Sequence, residues 1–434
     1  MNENSVRILI AEGVPSLNKG ELAILIGMLK TFETLGKAEV SIFSYYPSID
    51  KERYPKNIKT VDVGSDLFLG NSLTESSQSV RFGAYLFAAL QHFLFALLYK
   101  IQGRNALKVM NRALWREYCE SDIIIICHDG VDFINGWILG FSPIYITVLA
   151  KVLHKSIVIY ANGGTRFKRK IWKILAKYVL NYVTLITVRD EESFSYLKSL
   201  PLSDARIFLT GDPAILLPAA DDERVKGIML EENLPLDDGL LIGVILSHET
   251  LLHGSYRNNG GYKELVTEIA ELLDRLIERY QATIVFIPHC IDPLQNKDDR
   301  LVSKRIYNAM KNKNKAQVMV KEYSPEELKG LMGQLDLLIS SRVHASIGAL
   351  SMNVPTCTIT HSSDRRAYGL IGKMLKQEKW IYDLENLNVD VFFKLITELI
   401  LESGKIRKDL PSIVNSAKQK ALLNGRLLRA LLNS

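Results

Sequence analysis

The chain has 434 residues, of which 47% are hydrophobic and 24% charged, the composition of a soluble globular protein with enough apolar surface for two ordinary cores. Its formal net charge of +6 is too diffuse to indicate nucleic acid and suits an anionic small molecule or an anionic membrane surface. The four cysteines, Cys119, Cys127, Cys290 and Cys357, form no CxxC pair, so they read as reduced cytosolic thiols and exclude a disulfide frame or a zinc site. The opening MNENSVRILIAEG has no long apolar core of a signal peptide, and a cytoplasmic location is expected.

In chain order, VRILI predicts a first strand and feeds the loop AEGVPSLNKG, which carries Gly13, Pro15, Asn18 and Gly20. Ala23, Ile24, Met28, Phe32 and Leu35 then have helical spacing. A glycine-containing strand-to-helix loop suits an anion or a sugar hydroxyl. It is neither a P-loop nor a GxGxxG fingerprint, and an ordinary connection explains it equally well. After a second strand in EVSIFSYY comes FGAYLFAALQHFLFALLYKI, Phe82 to Ile101. It is about long enough to span a bilayer, but Gln91 and His92 sit at its middle. Three placements stay open: a buried core helix, a helix on the membrane surface, or a span. The buried run DIIIIC ends in HDGVD, placing Asp129 where it can grip a sugar hydroxyl or act as a base. SIVIYANGG places Asn162 at another strand end, and TLITVRD places Arg189 at a third. Turn formation accounts for Asn162 and the glycines equally well, and an ion pair accounts for Arg189.

Strand signals weaken from 213 to 238, where prolines and acids cluster as in a linker. The expected organisation is therefore an α/β domain over 1–212, a linker over 213–238, a second α/β domain over 239–385 and C-terminal helices over 386–434. Apolar runs separated by helix-length segments predict parallel sheets in both domains, with the ligand cleft at the carboxyl ends of the strands. In the second domain LLIGVILSHE offers His248, and ATIVFIPHCIDPLQNKDD offers His289, Asp298 and Asp299. AQVMV, LDLLISS and TCTITH supply further strands. The stretch SSRVHASIGAL carries the clearest chemistry: a strand end, Ser340 or Ser341 as N-cap, Arg342, His344, and then small residues that allow close packing. The free amides of a first helical turn attract an anion, Arg342 adds a planar fork of donors, and His344 adds a group that moves a proton near neutral pH. An arginine in a surface ion pair and a histidine bonded to a carbonyl remain the plain alternative. No histidine or carboxylate spacing calls for a metal.

Together these blocks resemble the polysaccharide pyruvyltransferase family. The resemblance rests on Asn18-Lys19-Gly20-Glu21-Leu22-Ala23, His128-Asp129-Gly130, Arg189-Asp190-Glu191-Glu192-Ser193, Ser247-His248, and Ser340-Ser341-Arg342-Val343-His344 leading to Pro355. It implies a GT-B-like fold of two Rossmann-like domains facing across a cleft. It also implies transfer of the enolpyruvyl unit of phosphoenolpyruvate onto two hydroxyls of a sugar, lipid-linked or in a cell-surface polysaccharide, with no cofactor and no metal. On that basis Arg342, the Val343 backbone and His344 hold phosphoenolpyruvate, and Arg189 assists. His344 is the acid or phosphate donor and Asp129 the base toward the acceptor. Asn18, Gly20, Glu21, Asn162, His248, His289 and Arg366 complete the substrate-binding set. Peripheral contact with the inner membrane face is expected if the acceptor is lipid-linked, and no nucleic acid partner is.

This chain departs from the family pattern at HDG, at Glu21 in place of an aspartate, and at Arg366 near a lysine position. The competing reading is a GT-B glycosyltransferase with a nucleotide-sugar donor. Such enzymes often hold the donor ribose with a glutamate seven residues before a G-x-P proline, where this chain has Gly348. A non-catalytic assembly protein of the same fold is the third reading, and the presence of Arg342 and His344 argues against it.

Overall fold

The computed structural model describes residues 5–63, 78–109, 112–127, 141–163, 167, 170–202, 206–234, 239–255, 261–292, 297–361 and 364–433. The packing divides the chain into two compact units. Unit 1 comprises Met1–Ser16, Met28–Gly211 and Lys420–Ser434; unit 2 comprises Leu17–Gly27 and Asp212–Gln419.

Unit 1 is built on strands β1 (Val6–Ile10), β2 (Ala38–Ser44), β3 (Ile58–Asp62), β4 (Ile123–Cys127), β5 (Ser156–Asn162), β6 (Leu185–Val188) and β7 (Ile207–Leu209). They pair in the order β3-β2-β1-β4-β5-β6-β7, all parallel. β4 is buried throughout, which is why IIIIC shows no alternation: both faces of the sheet are covered. The edge strands β3 and β7 have exposed positions and mixed residue types, and their apolar signal is correspondingly weak.

Unit 2 contains β8 (Leu241–Ile245), β9 (Thr283–Phe286), the short antiparallel pair β10 (Ile291–Asp292) and β11 (Lys297–Asp298), β12 (Ala316–Val318), β13 (Leu337–Ser340), β14 (Thr356–Thr360) and β15 (Ile381–Asp383). Its main sheet runs β12-β9-β8-β13-β14-β15, again all parallel. Strand order reverses between β1 and β4 in unit 1 and between β8 and β13 in unit 2. These switch points open a crevice at the carboxyl ends of the strands, where α/β folds bind ligands.

Segment 213–238, expected as a linker, is largely folded into unit 2. Asp221 caps the helix Asp222–Glu231 through its side chain, and Val225, Ile228 and Met229 join the same core as Leu328 and Leu331. Its prolines and acids mark caps and turns rather than a tether.

The apolar stretch forms the helix Gln78–Gln102 in unit 1. His92 is buried, its ring edge-on to Trp115 at 4.6 Å, with Phe95 on the same indole at 4.3 Å. One face of this helix is therefore core, while Leu90, Phe93, Leu94 and Leu97 remain exposed. Among the described residues no helix is long and apolar enough to cross a membrane, which removes the spanning placement for this segment. The four cysteines are free and buried.

His92 makes stability depend on pH. Burial, with a contribution from Arg112, lowers its pKa from 6.5 to about 4. Between those values the unfolded chain binds a proton that the folded chain does not, so stability rises with pH. The contribution is complete above about pH 6.5 and is lost as pH falls toward 4, amounting to about 3 kcal/mol. Urea denaturation at about pH 7 and about pH 4.5 should show this loss, and His92→Gln should reduce it. An unchanged acid sensitivity in the variant would place its origin elsewhere.

Candidate functional site

At the unit 2 switch point β13 ends at Ser340, and the helix Val343–Ser351 begins three residues on. The expected serine N-cap is replaced by Arg342, and no side chain caps this end. Ser340 Oγ instead accepts the Arg342 amide at 3.0 Å, and Ser341 Oγ accepts the Ser247 amide at 2.7 Å, fastening the ends of β13 and β8 together. The first-turn amides from Val343 onward therefore lack a side-chain cap at the crevice, the arrangement that attracts an anion. The small residues let the helix seat closely: Ala345 and Ala349 are buried, Ser346 Oγ meets Thr358 Oγ1 at 2.9 Å, and a Cβ on Gly348 would lie 2.8 Å from Met332 Cε.

Arg342 is held by Asp299, the first residue of the helix Asp299–Ala309. Nη2 donates to Oδ1 at 2.6 Å and Nε to Oδ2 at 3.3 Å; the carboxylate is buried and the guanidinium nearly so. Asp299 Oδ2 also accepts the amides of His289 and Cys290 at 3.1 and 2.8 Å. Burial works against the Arg342 charge, but Asp299 more than offsets it and raises the Arg342 pKa. The pair is thus an internal ion pair, not a surface one. Among the described residues Nη1 carries no hydrogen bond, so this edge of the fork remains for a ligand.

His289 lies beside this pair. Burial pushes its pKa well below 6.5, and the charges of Arg342, His344 and Lys19 push the same way, so the ring is neutral. Its Nδ1 is buried without a hydrogen-bond partner among the described residues.

The loop after β1 packs within unit 2 against these groups. Asn18 forms a bridge with Cys290, the Lys19 amide donates to the His289 carbonyl at 3.0 Å, and the Ile291 amide donates to the Leu17 carbonyl at 3.1 Å. Asn18 Oδ1 accepts the Gly20 amide at 3.1 Å, turning the chain into the helix Lys19–Phe32. Lys19 Nζ meets Glu322 at 2.6 Å. Gly20 is sterically required, because a Cβ there would sit 2.9 Å from His344 Nδ1 and 3.0 Å from its Cβ. On the other side of the ring, His344 Nε2 lies 3.5 Å from Oδ2 of the fully buried Asp212. Glu21 is in the first turn of its helix.

Arg342, Val343, His344, His289, Asn18, Gly20 and Glu21 are thus all in unit 2, and direct contacts join Arg342 to His289 through Asp299, and His344 to Gly20. His248, also in unit 2, pairs its Nδ1 with the Tyr262 hydroxyl at 3.1 Å, and burial followed by Arg305 lowers its pKa. Arg366 forks onto Asp364 at 2.9 and 3.0 Å. It lies near enough, with Lys297 and Arg342, to lower the pKa of Glu249 against the opposing effect of burial. Arg189 and Asn162 belong to unit 1, where the Arg189 amide donates to the Asn162 carbonyl at 2.9 Å. Arg189 is buried over Gly163, whose Cβ would lie 2.5 Å from its Nε. Asp129 lies outside the described residues. Sequence reasoning gave no role to Asp212 or Lys19, and it named Asp299 without a function. Asp212 precedes a proline as a helix cap does, but nothing local shows that it faces His344.

Asp299→Asn should be strongly destabilising. It leaves the Arg342 guanidinium buried without its counter-charge, a change that typically costs about 3–5 kcal/mol. Denaturant unfolding measures this loss, and a loss below about 1 kcal/mol would mean that Arg342 finds solvent or another acid.

Residues 18–363 match the family described as Polysaccharide pyruvyl transferase. The Amylovoran biosynthesis protein AmsJ of Erwinia amylovora is 19% identical over 297 residues, covering 68% of this chain and 69% of that protein. Among solved structures, UDP-GlcNAc 2-epimerase from Methanocaldococcus jannaschii matches with a TM-score of 0.59 at 13% identity, over 99% of this chain and 100% of that one. The Neisseria meningitidis UDP-GlcNAc 2-epimerase bound to UDP-GlcNAc matches with a TM-score of 0.60 at 12% identity, over 99% and 100%. At such identities the structural likeness shows the fold alone, an α/β arrangement of the GT-B kind. The family match runs from Asn18 past the helix mouth at Arg342 and covers most of the chain. This chain belongs to the polysaccharide pyruvyl transferase family.

Proposed function

We propose that the protein transfers the enolpyruvyl group of phosphoenolpyruvate to two hydroxyls of one sugar, in a cell-surface polysaccharide or its lipid-linked precursor. The products are a cyclic pyruvate ketal and phosphate. One observation carries the reading: Arg342, fixed by Asp299, stands at an uncapped helix start beside His344, with neutral His289 and Lys19 close by. A compact trianion draws its binding energy from a few charge-assisted contacts of this type.

In this scheme a proton adds to the methylene carbon, which becomes the methyl group, and positive charge develops at C2. One sugar hydroxyl attacks C2, the phosphate leaves, and the second hydroxyl closes the ketal. The two hydroxyl protons end on the methyl carbon and on the phosphate. His344 supplies the proton to carbon or to phosphate, and Asp212 at 3.5 Å stabilises the ring when it is charged. Arg342 and the helix-start amides from Val343 take up the phosphate and carboxylate charge. Asp129 is the base toward the acceptor, with Asn18, Glu21, Asn162, Arg189, His248 and Arg366 as further substrate contacts. No metal or cofactor enters the scheme. A lipid-linked acceptor would place the reaction at the cytoplasmic membrane face.

Phosphoenolpyruvate should raise the melting temperature by mass action, by about 2.7 kcal/mol of stability at a hundredfold excess over its dissociation constant. Phosphate or pyruvate alone should protect less, and added salt should weaken the effect. If UDP protects and phosphoenolpyruvate does not, the donor is a nucleotide sugar and this reading falls.

Gly20→Ala tests the placement of His344. The added methyl group must displace the imidazole, and a shift of about 1 Å costs roughly a hundredfold in rate. Single-turnover transfer from phosphoenolpyruvate should slow by that order while phosphoenolpyruvate still protects against heat. His344→Gln should slow transfer further, by about 2–4 kcal/mol of transition-state stabilisation. Full turnover in His344→Gln would remove the histidine from the chemistry.

A further inference from the structure

The helix Gln78–Gln102 is amphipathic in an unusual sense, since its solvent face is its apolar one. Leu86, Leu90, Phe93, Leu97 and Ile101 recur every three or four residues and fall on a single stripe. Leu90 is 56% exposed and Ile101 82%, while His92, Phe95 and Ala96 on the opposite side are in the core. The helix Lys170–Leu180 packs Ala176 and Leu180 into that same core and exposes Ile174 and Tyr178. Two helices over one face of the unit 1 sheet therefore turn large apolar side chains outward, more than a soluble surface ordinarily carries.

The charge within the segments that carry them has one sign. Residues 76–116 contain no aspartate or glutamate, and neither do residues 133–189. Within these stretches Lys100, Arg104 and Lys108 follow the apolar stripe, and Lys173 and Lys177 flank Ile174 and Tyr178, all of them exposed. A second copy of the chain fits this surface poorly. A two-fold contact would set these basic rims against each other, and like charges across an interface are unfavourable. An apolar stripe carried on segments whose charged residues are all lysine or arginine is complementary to an anionic bilayer, in which the side chains reach the acyl boundary and the cations sit among the headgroups.

We propose that this face of unit 1 docks on an anionic lipid surface through the stripe Leu86 to Ile101 and the cations Lys100, Arg104, Lys108, Lys173 and Lys177. The proposal stands on this face alone and does not depend on the transfer reaction.

Co-sedimentation of the full chain with vesicles tests it. The protein should pellet with phosphatidylcholine vesicles containing phosphatidylglycerol, stay largely in solution with pure phosphatidylcholine, and be released by salt. Leu90→Ser/Phe93→Ser/Leu97→Ser alters only exposed positions, so its melting temperature should match that of the parent while vesicle affinity falls at least about tenfold. Lys100→Glu/Lys108→Glu should weaken binding to the anionic vesicles by at least about tenfold as well. Failure of the parent to bind either vesicle overturns the proposal, as does equal binding to both or unchanged binding by either variant. If the parent instead dimerises in sedimentation velocity and the serine variant does not, the face is a contact between copies and the lipid proposal is wrong.

Discussion

A guanidinium shut away from water requires a counter-charge, and Arg342 has one in Asp299. Much of unit 2 is arranged around that pair. Asp299 is presented at the start of its own helix and receives the amides of His289 and Cys290, so one carboxylate fixes both the arginine and the turn after β9. That turn in turn holds the loop after β1, through the His289 carbonyl and the Cys290 bridge to Asn18. Gly20 is then set against His344, with Asp212 beyond the ring. The chain of contacts runs from the buried Asp299 to the largely enclosed imidazole of His344, which holds Arg342 and His344 in one geometry.

This arrangement explains why the first loop packs with the second unit although it follows the first strand. The helix Lys19–Phe32 divides between the units at Gly27 and Met28. A Cβ on Gly27 would come within 1.8 Å of the Pro213 carbonyl oxygen, so backbone meets backbone there and only glycine fits. The motif Asn18-Lys19-Gly20-Glu21 is thus spaced for its partners in unit 2 rather than for its own strand.

The two parallel sheets were legible because doubly covered strands are nearly continuous apolar runs, as in IIIIC and LIGVI. The edge strands β3, β7 and β15 were not, since each contacts the sheet on one side and mixes buried with exposed or half-exposed residues. At the site, Arg342 and His344 stood out through residue type and their place after a strand. Their partners did not. Asp299 lies 43 residues before Arg342, and Asp212 falls in a proline-containing segment that resembles a linker. Tertiary pairing of that kind has no local signature. The same holds for His92 at the middle of an apolar helix, whose edge-on contact with Trp115 joins residues 23 apart in sequence.

The distribution of charge links the site to the rest of the molecule. Lys19 and Arg342 would repel one another if left alone, yet each faces an acid, Glu322 and Asp299 respectively, and the His344 ring faces Asp212. His289 avoids the conflict by staying neutral, as burial and its cationic neighbours require. The cations of the site are thus matched by acids of their own unit. Unit 1 differs over residues 76–116 and 133–189, which hold lysines and arginines and no acidic residue in sequence. A net charge of +6 is small for the whole chain, and its physical meaning lies in this unevenness: acids facing the cations around Arg342, and basic segments without acids of their own in sequence beside an apolar surface.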